Sequence, residues 1–143
     1  MNGRWTAVVK PEYYGLMMFA QAMSPGARLL PTTGTTGDAK VHVWAIRLPH
    51  GRTRVVLINE DPRRTDVITV RIPGRTGAAA LEQLRAPSLN AVASVTLGGR
   101  GFGATTSTRV LPSLHTIPVR ATNGSAVVRM PAASAAMLTV AGR

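Results

Sequence analysis

The sequence predicts a mostly β protein, an antiparallel β-sandwich of about eight strands with one helix near the N-terminus. Short apolar runs recur after Pro31 at intervals of about 8–12 residues, and turn residues separate them. No segment between these runs is long or periodic enough to form a crossover helix, so the pattern does not favour a parallel sheet.

Length and composition set the broad class. The chain has 143 residues, of which 45% are hydrophobic, so it suits one globular domain rather than a disordered polymer. Cysteine is absent, which excludes disulfides and thiolate metal sites. No apolar run reaches the roughly 20 residues of a membrane-spanning helix. Met1–Lys10 lacks the apolar core of a secretory signal, and the sequence leaves the compartment unassigned.

One helix is predicted, over Tyr13–Met23. Pro11 suits a first helical turn, Glu12 lies where the helix dipole favours a negative charge, and Ser24–Gly26 ends the pattern. Gln21 is the one clearly polar residue of the stretch, so the helix is apolar nearly all round. Such a helix needs neighbours on most sides. It is either buried centrally or shaped to pack against something that this chain does not contain.

The strands follow the helix. We divide the chain into residues 1–30, an N-terminal segment with the apolar helix, and residues 31–143, the β-sandwich domain. Thr32–Asp38 is predicted to be a Gly/Thr loop and Gly98–Thr108 a long loop. The predicted strands are Val41–Leu48, Arg54–Asn59, Val67–Ile72, Ala79–Arg85, Ser94–Leu97, His115–Arg120, Ala126–Met130 and Ala135–Val140.

The charge balance is strongly basic. Seventeen Lys and Arg residues against six Asp and Glu residues give a formal net charge of +11. Such a surplus attracts polyanions of any kind, including nucleic acid, acidic polysaccharide and anionic lipid. The arginines arrive singly or in pairs and never as a run. Two interpretations stay open: a solvated arginine-rich surface, or a functional polyanion-binding surface.

No catalytic, metal-binding or cofactor-binding constellation emerges from the residue types. The three histidines, His42, His50 and His115, share no metal-type spacing. A glycosidase needs two carboxyl groups across the scissile bond. The acidic residues are Glu12, Asp38, Glu60, Asp61, Asp66 and Glu82. They are scattered, and we expect Arg63 and Arg64 to neutralise the adjacent pair Glu60 and Asp61.

Glycine and aromatic residues offer little further chemistry. Gly98–Gly103 does not lead from a strand into a helix, so we interpret it as a glycine-rich hairpin connection and not as a phosphate loop. Stacking sites for sugars or single-stranded nucleic acid need exposed rings. Three of the six rings, those of Tyr13, Tyr14 and Phe19, lie in the apolar helix. We expect Trp44 to serve the sheet, which leaves Phe102 as the one candidate exposed ring.

Five strings follow one another in an order that matches a known family. They are Pro11–Phe19, Val55–Asp61, Leu84–Leu89, Val95–Gly99 and Met130–Leu138. The first resembles the last helix of the catalytic barrel in glycoside hydrolase family 79, the heparanase and β-glucuronidase group. The other four resemble strands and turns of the C-terminal β domain of that family. The strings follow the order of the family, and the resemblance covers nearly the whole chain from Pro11 to Val140.

The resemblance implies a division of labour. In that family a (β/α)8 barrel carries two catalytic glutamates and a β-sandwich packs beside it. No position here matches either glutamate motif, so we assign no catalytic, cofactor-binding or metal-binding residue and expect the chain alone to be inactive. The implied role is to brace a barrel, and helix 13–23 would contact that barrel or a second copy of the chain. Family members are often exported.

An alternative role is a stand-alone basic β-sandwich module that binds acidic glycan or nucleic acid through charge. The uronic-acid substrates of the family suit a basic surface. The dispersal of the arginines argues against a dedicated nucleic-acid site.

Overall fold

A computed structural model describes residues 4–34 and 40–142 of the chain. These residues contain one α-helix, α1 (Pro11–Ala22), and a short 3-10 helix at Pro49–Gly51. The strands are β1 (Arg28–Leu30), β2 (Val41–Arg47), β3 (Thr53–Asn59), β4 (Asp66–Arg71), β5 (Gly77–Arg85), β6 (Thr96–Leu97), β7 (Ile117–Ala121), β8 (Ser125–Met130) and β9 (Ser134–Val140). The prediction of a mostly β chain with one N-terminal helix is confirmed.

The strands form two antiparallel sheets. The larger is seven-stranded, in the order β1-β2-β3-β9-β5-β6, with β7 also paired to β5. The smaller contains β4 and β8. All pairings are antiparallel, as the short turns require. The described residues therefore form nine strands where the sequence predicts about eight, because β1 was not predicted.

The first core lies between the two sheets. Alternation along β3 sends Val55 and Leu57 to this side, and cross-strand register places Leu138 of β9 opposite Val55. From the small sheet, Val128 and Met130 of β8 complete the contact. Since strand residues alternate between faces, the intervening residues of β3 face the other side of the large sheet.

The second core lies on that other side, under α1. Tyr14, Met18 and Ala22 recur at intervals of four residues, so they lie on one face of the helix, and all three are buried. They cluster with Leu97 of β6 and Met137 of β9. The large sheet is thus covered on one face by the small sheet and on the other by the helix.

Predicted boundaries differ from the structure by up to two residues, as at the starts of α1, β5, β6 and β7. Ser94 adopts a positive φ of 60°, which ends the strand pattern, and β6 is restricted to Thr96–Leu97. The segment predicted as a strand from His115 begins at Ile117 instead. The Gly/Thr loop predicted at 32–38 lies partly outside the described residues.

Candidate domain interface

The side of α1 that faces away from the sheet is apolar. We call Tyr13, Leu16, Phe19 and Ala20 its outer face. Leu16 is 63% exposed, Phe19 is 64% exposed and Tyr13 is 42% exposed. Glu12, in the first turn, is the acidic neighbour of this face. A surface helix of a soluble domain ordinarily presents polar residues here, so the outer face has the character of a contact surface.

Besides Glu12, the polar residue of α1 is Gln21, which lies on the inner side instead. Glu82 of β5 lies close to the Gln21 side chain, and the guanidinium of Arg54 of β3 donates to the Gln21 carbonyl. Glu82 is 7% exposed. Burial raises the pKa of Glu82 and lowers the pKa of Arg54, because each charged form loses water. The polar contacts hold the C-terminal part of α1 on the sheet.

One flank of α1 borders a groove that the N-terminal segment helps to form. Ala7 and Thr106 exchange two backbone hydrogen bonds of 2.8 Å, which fix the segment before the helix against the long loop. The guanidinium carbon of Arg109 lies 5.7 Å from the ring centroid of Trp5. This first groove has a volume of about 210 Å³ and includes Tyr13 in its wall.

The opposite flank of α1 borders a second groove of about 230 Å³. Gly15 and Pro11 form its helix side. The loop that follows β5 forms the other side, including Arg85 and the exposed Leu89. The helix therefore lies between two grooves, and its outer face is exposed between them.

A tight glycine turn positions the loop beneath the helix. Leu97 and Arg100 exchange backbone hydrogen bonds around Gly98 and Gly99, whose φ values are 52° and 69°. Two consecutive positive φ values are typical of a two-residue hairpin turn. The interpretation of this stretch as a hairpin connection is confirmed.

The aromatic predictions were wrong at two positions. Phe102 is buried at 8% exposure and packs on Tyr14, because the glycine turn directs it beneath the helix. Trp44 is 42% exposed and stacks on His42, with centroids 5.9 Å apart. Cross-strand register with Val56 places Trp44 on the helix-bearing side of the large sheet. The exposed rings therefore lie before α1, in α1 and on the helix-bearing side of the large sheet, and not in the glycine loop.

The acidic residues make structural contacts. Asp61 accepts backbone N–H bonds from Arg63 and Arg64 at 2.9 and 2.8 Å, and these bonds lower its pKa. Glu60 lies 3.3 Å from His42, and the buried Asp66 lies 2.9 Å from Arg64. Arg63 and Arg64 were expected to neutralise this pair; they meet Asp61 through their backbone N–H groups, and the side chain beside Glu60 is His42 and not an arginine.

The placement of Glu82 beneath α1 was not predicted.

Among the described residues, no group of three or more His, Cys, Asp or Glu side chains could hold a metal ion. Asp38 lies outside those residues. The assignment of no catalytic residue stays a prediction. In the ranges 4–34 and 40–142, no helix is long and apolar enough to cross a membrane.

Comparison with solved structures supports the fold. The chain matches a GH30 endoxylanase from Clostridium papyrosolvens C71 at 17% identity and a TM-score of 0.64, over 92% of this chain and 28% of that chain. A 4-O-α-L-rhamnosyl-β-D-glucuronidase from Fusarium oxysporum 12S matches at 19% identity and a TM-score of 0.69, over 89% and 29%. The chain thus spans less than a third of these structures. No curated protein matches it.

Comparison with family models identifies the chain itself. The model of the glycosyl hydrolase family 79 C-terminal beta domain matches residues 32–137. This range runs from just after β1 to within β9 and includes both layers of the sandwich. The family proposed from the sequence strings is therefore confirmed. The chain belongs to the glycosyl hydrolase family 79 C-terminal beta domains.

Proposed function

We propose that this chain is a non-catalytic domain that braces the catalytic domain of a family 79-type glycoside hydrolase, and that the two dock through the outer face of α1. The resemblance implies that the catalytic domain is a (β/α)8 barrel and that it carries both catalytic glutamates. The chain would then contribute stability and position and no chemical step.

The outer face of α1 carries the proposal. Leu16 and Phe19 leave most of their apolar surface in water although α1 is anchored on its inner side by Tyr14 and Gln21. Burial of apolar surface contributes roughly 25 cal/mol per Å². A partner that covers this face therefore supplies a favourable contact which the chain does not make alone.

The solved structures contain a large part beside the matched domain. The chain covers 28% of the xylanase and 29% of the glucuronidase, so most of each of those chains lies outside the matched domain. A larger domain beside the sandwich is the partner that a family 79 β domain suggests.

Binding to a separately produced catalytic domain tests the proposal. The probe is a family 79 catalytic domain from which its own last barrel helix and its C-terminal β domain have been deleted, because α1 resembles that helix. We expect the 143-residue chain to form a one-to-one complex, seen by size-exclusion chromatography with light scattering, and Leu16→Asp to abolish it. Val127→Asp is the matched control, because Val127 is 60% exposed on β8, across the large sheet from α1. A wild-type chain that stays monomeric, binds no hydrophobic dye and forms no complex would overturn the proposal.

The arginine surface supports a second candidate, a module that binds polyanions. Arg28 of β1 lies directly opposite Arg47 of β2, an arrangement that places two like charges side by side. Among the described arginines, Arg64 is the one that forms a salt bridge with a carboxylate. A bound anion would relieve the repulsion between Arg28 and Arg47.

Binding to a heparin-like polymer and to DNA at two salt concentrations tests this second candidate. A charge-driven site predicts affinity that falls steeply with salt. It also predicts weaker binding by Arg28→Ser and Arg47→Ser than by Arg120→Ser, a control on the distant strand β7. Absence of binding at low salt excludes it.

A further inference from the structure

Gly15 is a glycine that the chain itself does not need. It lies inside α1, and it is absent from the glycines with positive φ. A Cβ added there would meet no atom within 4 Å. Glycine in a helix interior weakens the helix relative to alanine. Neither backbone conformation nor internal packing therefore explains glycine at this position.

The neighbours of Gly15 define a notch. Pro11, Gly15 and Phe19 are spaced by four residues, so they form one ridge along the helix. Phe19 projects from this ridge into solvent, and Pro11 and Gly15 line the second groove. The missing side chain at Gly15 makes a gap in the ridge that opens onto the groove.

We propose that a helix of the catalytic domain lies in the second groove and approaches α1 most closely at Gly15, with Phe19 packed against it. This inference rests on the proposed docking function and names where the partner comes nearest. The distance between two packed helices is set by the side chains at their crossing, so a glycine there permits a close approach. The space needed is outside the chain, where the solved relatives of this fold have most of their length.

The rim of the groove specifies the charge of the occupant. Arg85 lines the groove and is not in a salt bridge among the described residues, whereas Glu60 is paired with His42. A helix with an apolar face and a carboxylate at its edge fits this rim, because the carboxylate can pair with Arg85.

Gly15→Ala and Gly15→Leu test the inference by moving two measurements in opposite directions. Alanine and leucine are better helix formers than glycine, so the unfolding temperature of the 143-residue chain should rise, by roughly 2–4 °C for Gly15→Ala. The affinity for the family 79 catalytic domain that lacks its own last barrel helix and β domain should fall. We expect about a tenfold or greater loss for Gly15→Leu and a smaller loss for Gly15→Ala.

Tyr14→Phe is the control for stability, since Tyr14 is buried on the inner side of the same helix and belongs to neither the outer face nor the second groove. It should lower the unfolding temperature and leave binding within about threefold of wild type. A Gly15→Leu chain that binds like wild type, while Leu16→Asp does not bind, overturns the close approach and leaves the docking function intact. A Gly15→Ala chain that is less stable than wild type would show that the glycine serves the chain internally. Failure of the wild-type chain to bind removes the docking function and this inference together.

Discussion

The hydroxyl of Tyr14 accepts a hydrogen bond of 2.9 Å from the backbone N–H of Phe102, and the two rings meet edge-on with centroids 5.7 Å apart. One residue therefore joins α1 to the long loop by both a polar and an aromatic contact. Both partners are buried, so the N–H has no ready replacement in water.

Tyr14→Phe keeps the ring and removes the hydroxyl. Because the Phe102 N–H is then buried without its acceptor, we expect a loss of about 1–2 kcal/mol in the free energy of unfolding, measured by urea titration. Tyr13→Phe is the matched control on the exposed side of the helix, with an expected change below about 0.5 kcal/mol. Equal effects of the two substitutions would contradict the assigned bond.

Asn59→Asp tests the hydrogen bonds that the Asn59 side-chain amide makes at the end of β3. The Asn59 amide nitrogen lies 2.9 Å from the Arg64 carbonyl, 3.2 Å from that of Met130 and 3.0 Å from that of Pro131. A carboxylate there faces carbonyl oxygens and donates nothing, so we expect a loss of about 3 kcal/mol or more at neutral pH. The loss should shrink in acid, where the new carboxyl is protonated.

The exposed Asn90 supplies the control for that experiment. Asn90→Asp makes the same chemical change on the surface, and the expected effect on the unfolding midpoint is small. A similar unfolding midpoint for the two variants at neutral pH would show that the hydrogen bonds of Asn59 do not stabilise the fold.

Glu82→Gln tests the buried carboxyl under α1. Burial raises its pKa in the folded chain, so the folded state holds the proton more tightly than the unfolded state. The protonated Glu82 carboxyl contributes fully to the free energy of unfolding below its ordinary pKa. This contribution is lost as pH rises through the raised pKa of the folded state. Glutamine removes this dependence and relieves a buried oxygen, Oε1, that lacks a partner among the described residues.

We therefore expect the free energy of unfolding of Glu82→Gln to exceed that of wild type by about 1 kcal/mol at pH 8 and to approach it at pH 4, by denaturant titration. Glu12→Gln is the control, because Glu12 is exposed and forms no salt bridge among the described residues, and this change should not raise stability at pH 8. Parallel profiles for Glu82→Gln and wild type across this range would sink the assignment.

Gly98→Ala tests the hairpin turn under the loop. A Cβ at Gly98 would lie 2.7 Å from the Leu114 Cβ and 3.1 Å from backbone atoms of His115, whereas one at Gly99 would meet nothing within 4 Å. Both residues have positive φ. We expect Gly99→Ala to cost about 1 kcal/mol for conformation alone and Gly98→Ala to cost at least about 2 kcal/mol more, seen as lower unfolding midpoints. Equal losses of stability for Gly98→Ala and Gly99→Ala would show that Leu114 and His115 move aside at no cost.

Local patterns made much of the fold predictable. Turn residues and alternation located the strands from Val41 to Val140, and the composition of Tyr13–Met23 indicated a helix without a polar face. The strand β1 was missed because its three residues, between Ala27 and Pro31, are too few to show alternation.

Long-range contacts were beyond the sequence. Nothing local to Glu82 indicates that Arg54 and Gln21 meet it, since these residues come together only when β3, β5 and α1 are assembled. The burial of Phe102 has the same origin, because the acceptor of its N–H is 88 positions away. The apolar helix was recognisable in the sequence, but which of its faces is outward depends on the sheet beneath it.

The placement of α1 has a practical consequence for protein production. The family match begins at residue 32, downstream of the helix, yet Tyr14, Met18 and Ala22 shield Leu97 and Met137. A recombinant fragment trimmed to the matched residues would expose this apolar surface to solvent and is expected to aggregate. Expression boundaries are better drawn upstream of Trp5, so that the helix and the segment fixed by Ala7 are retained.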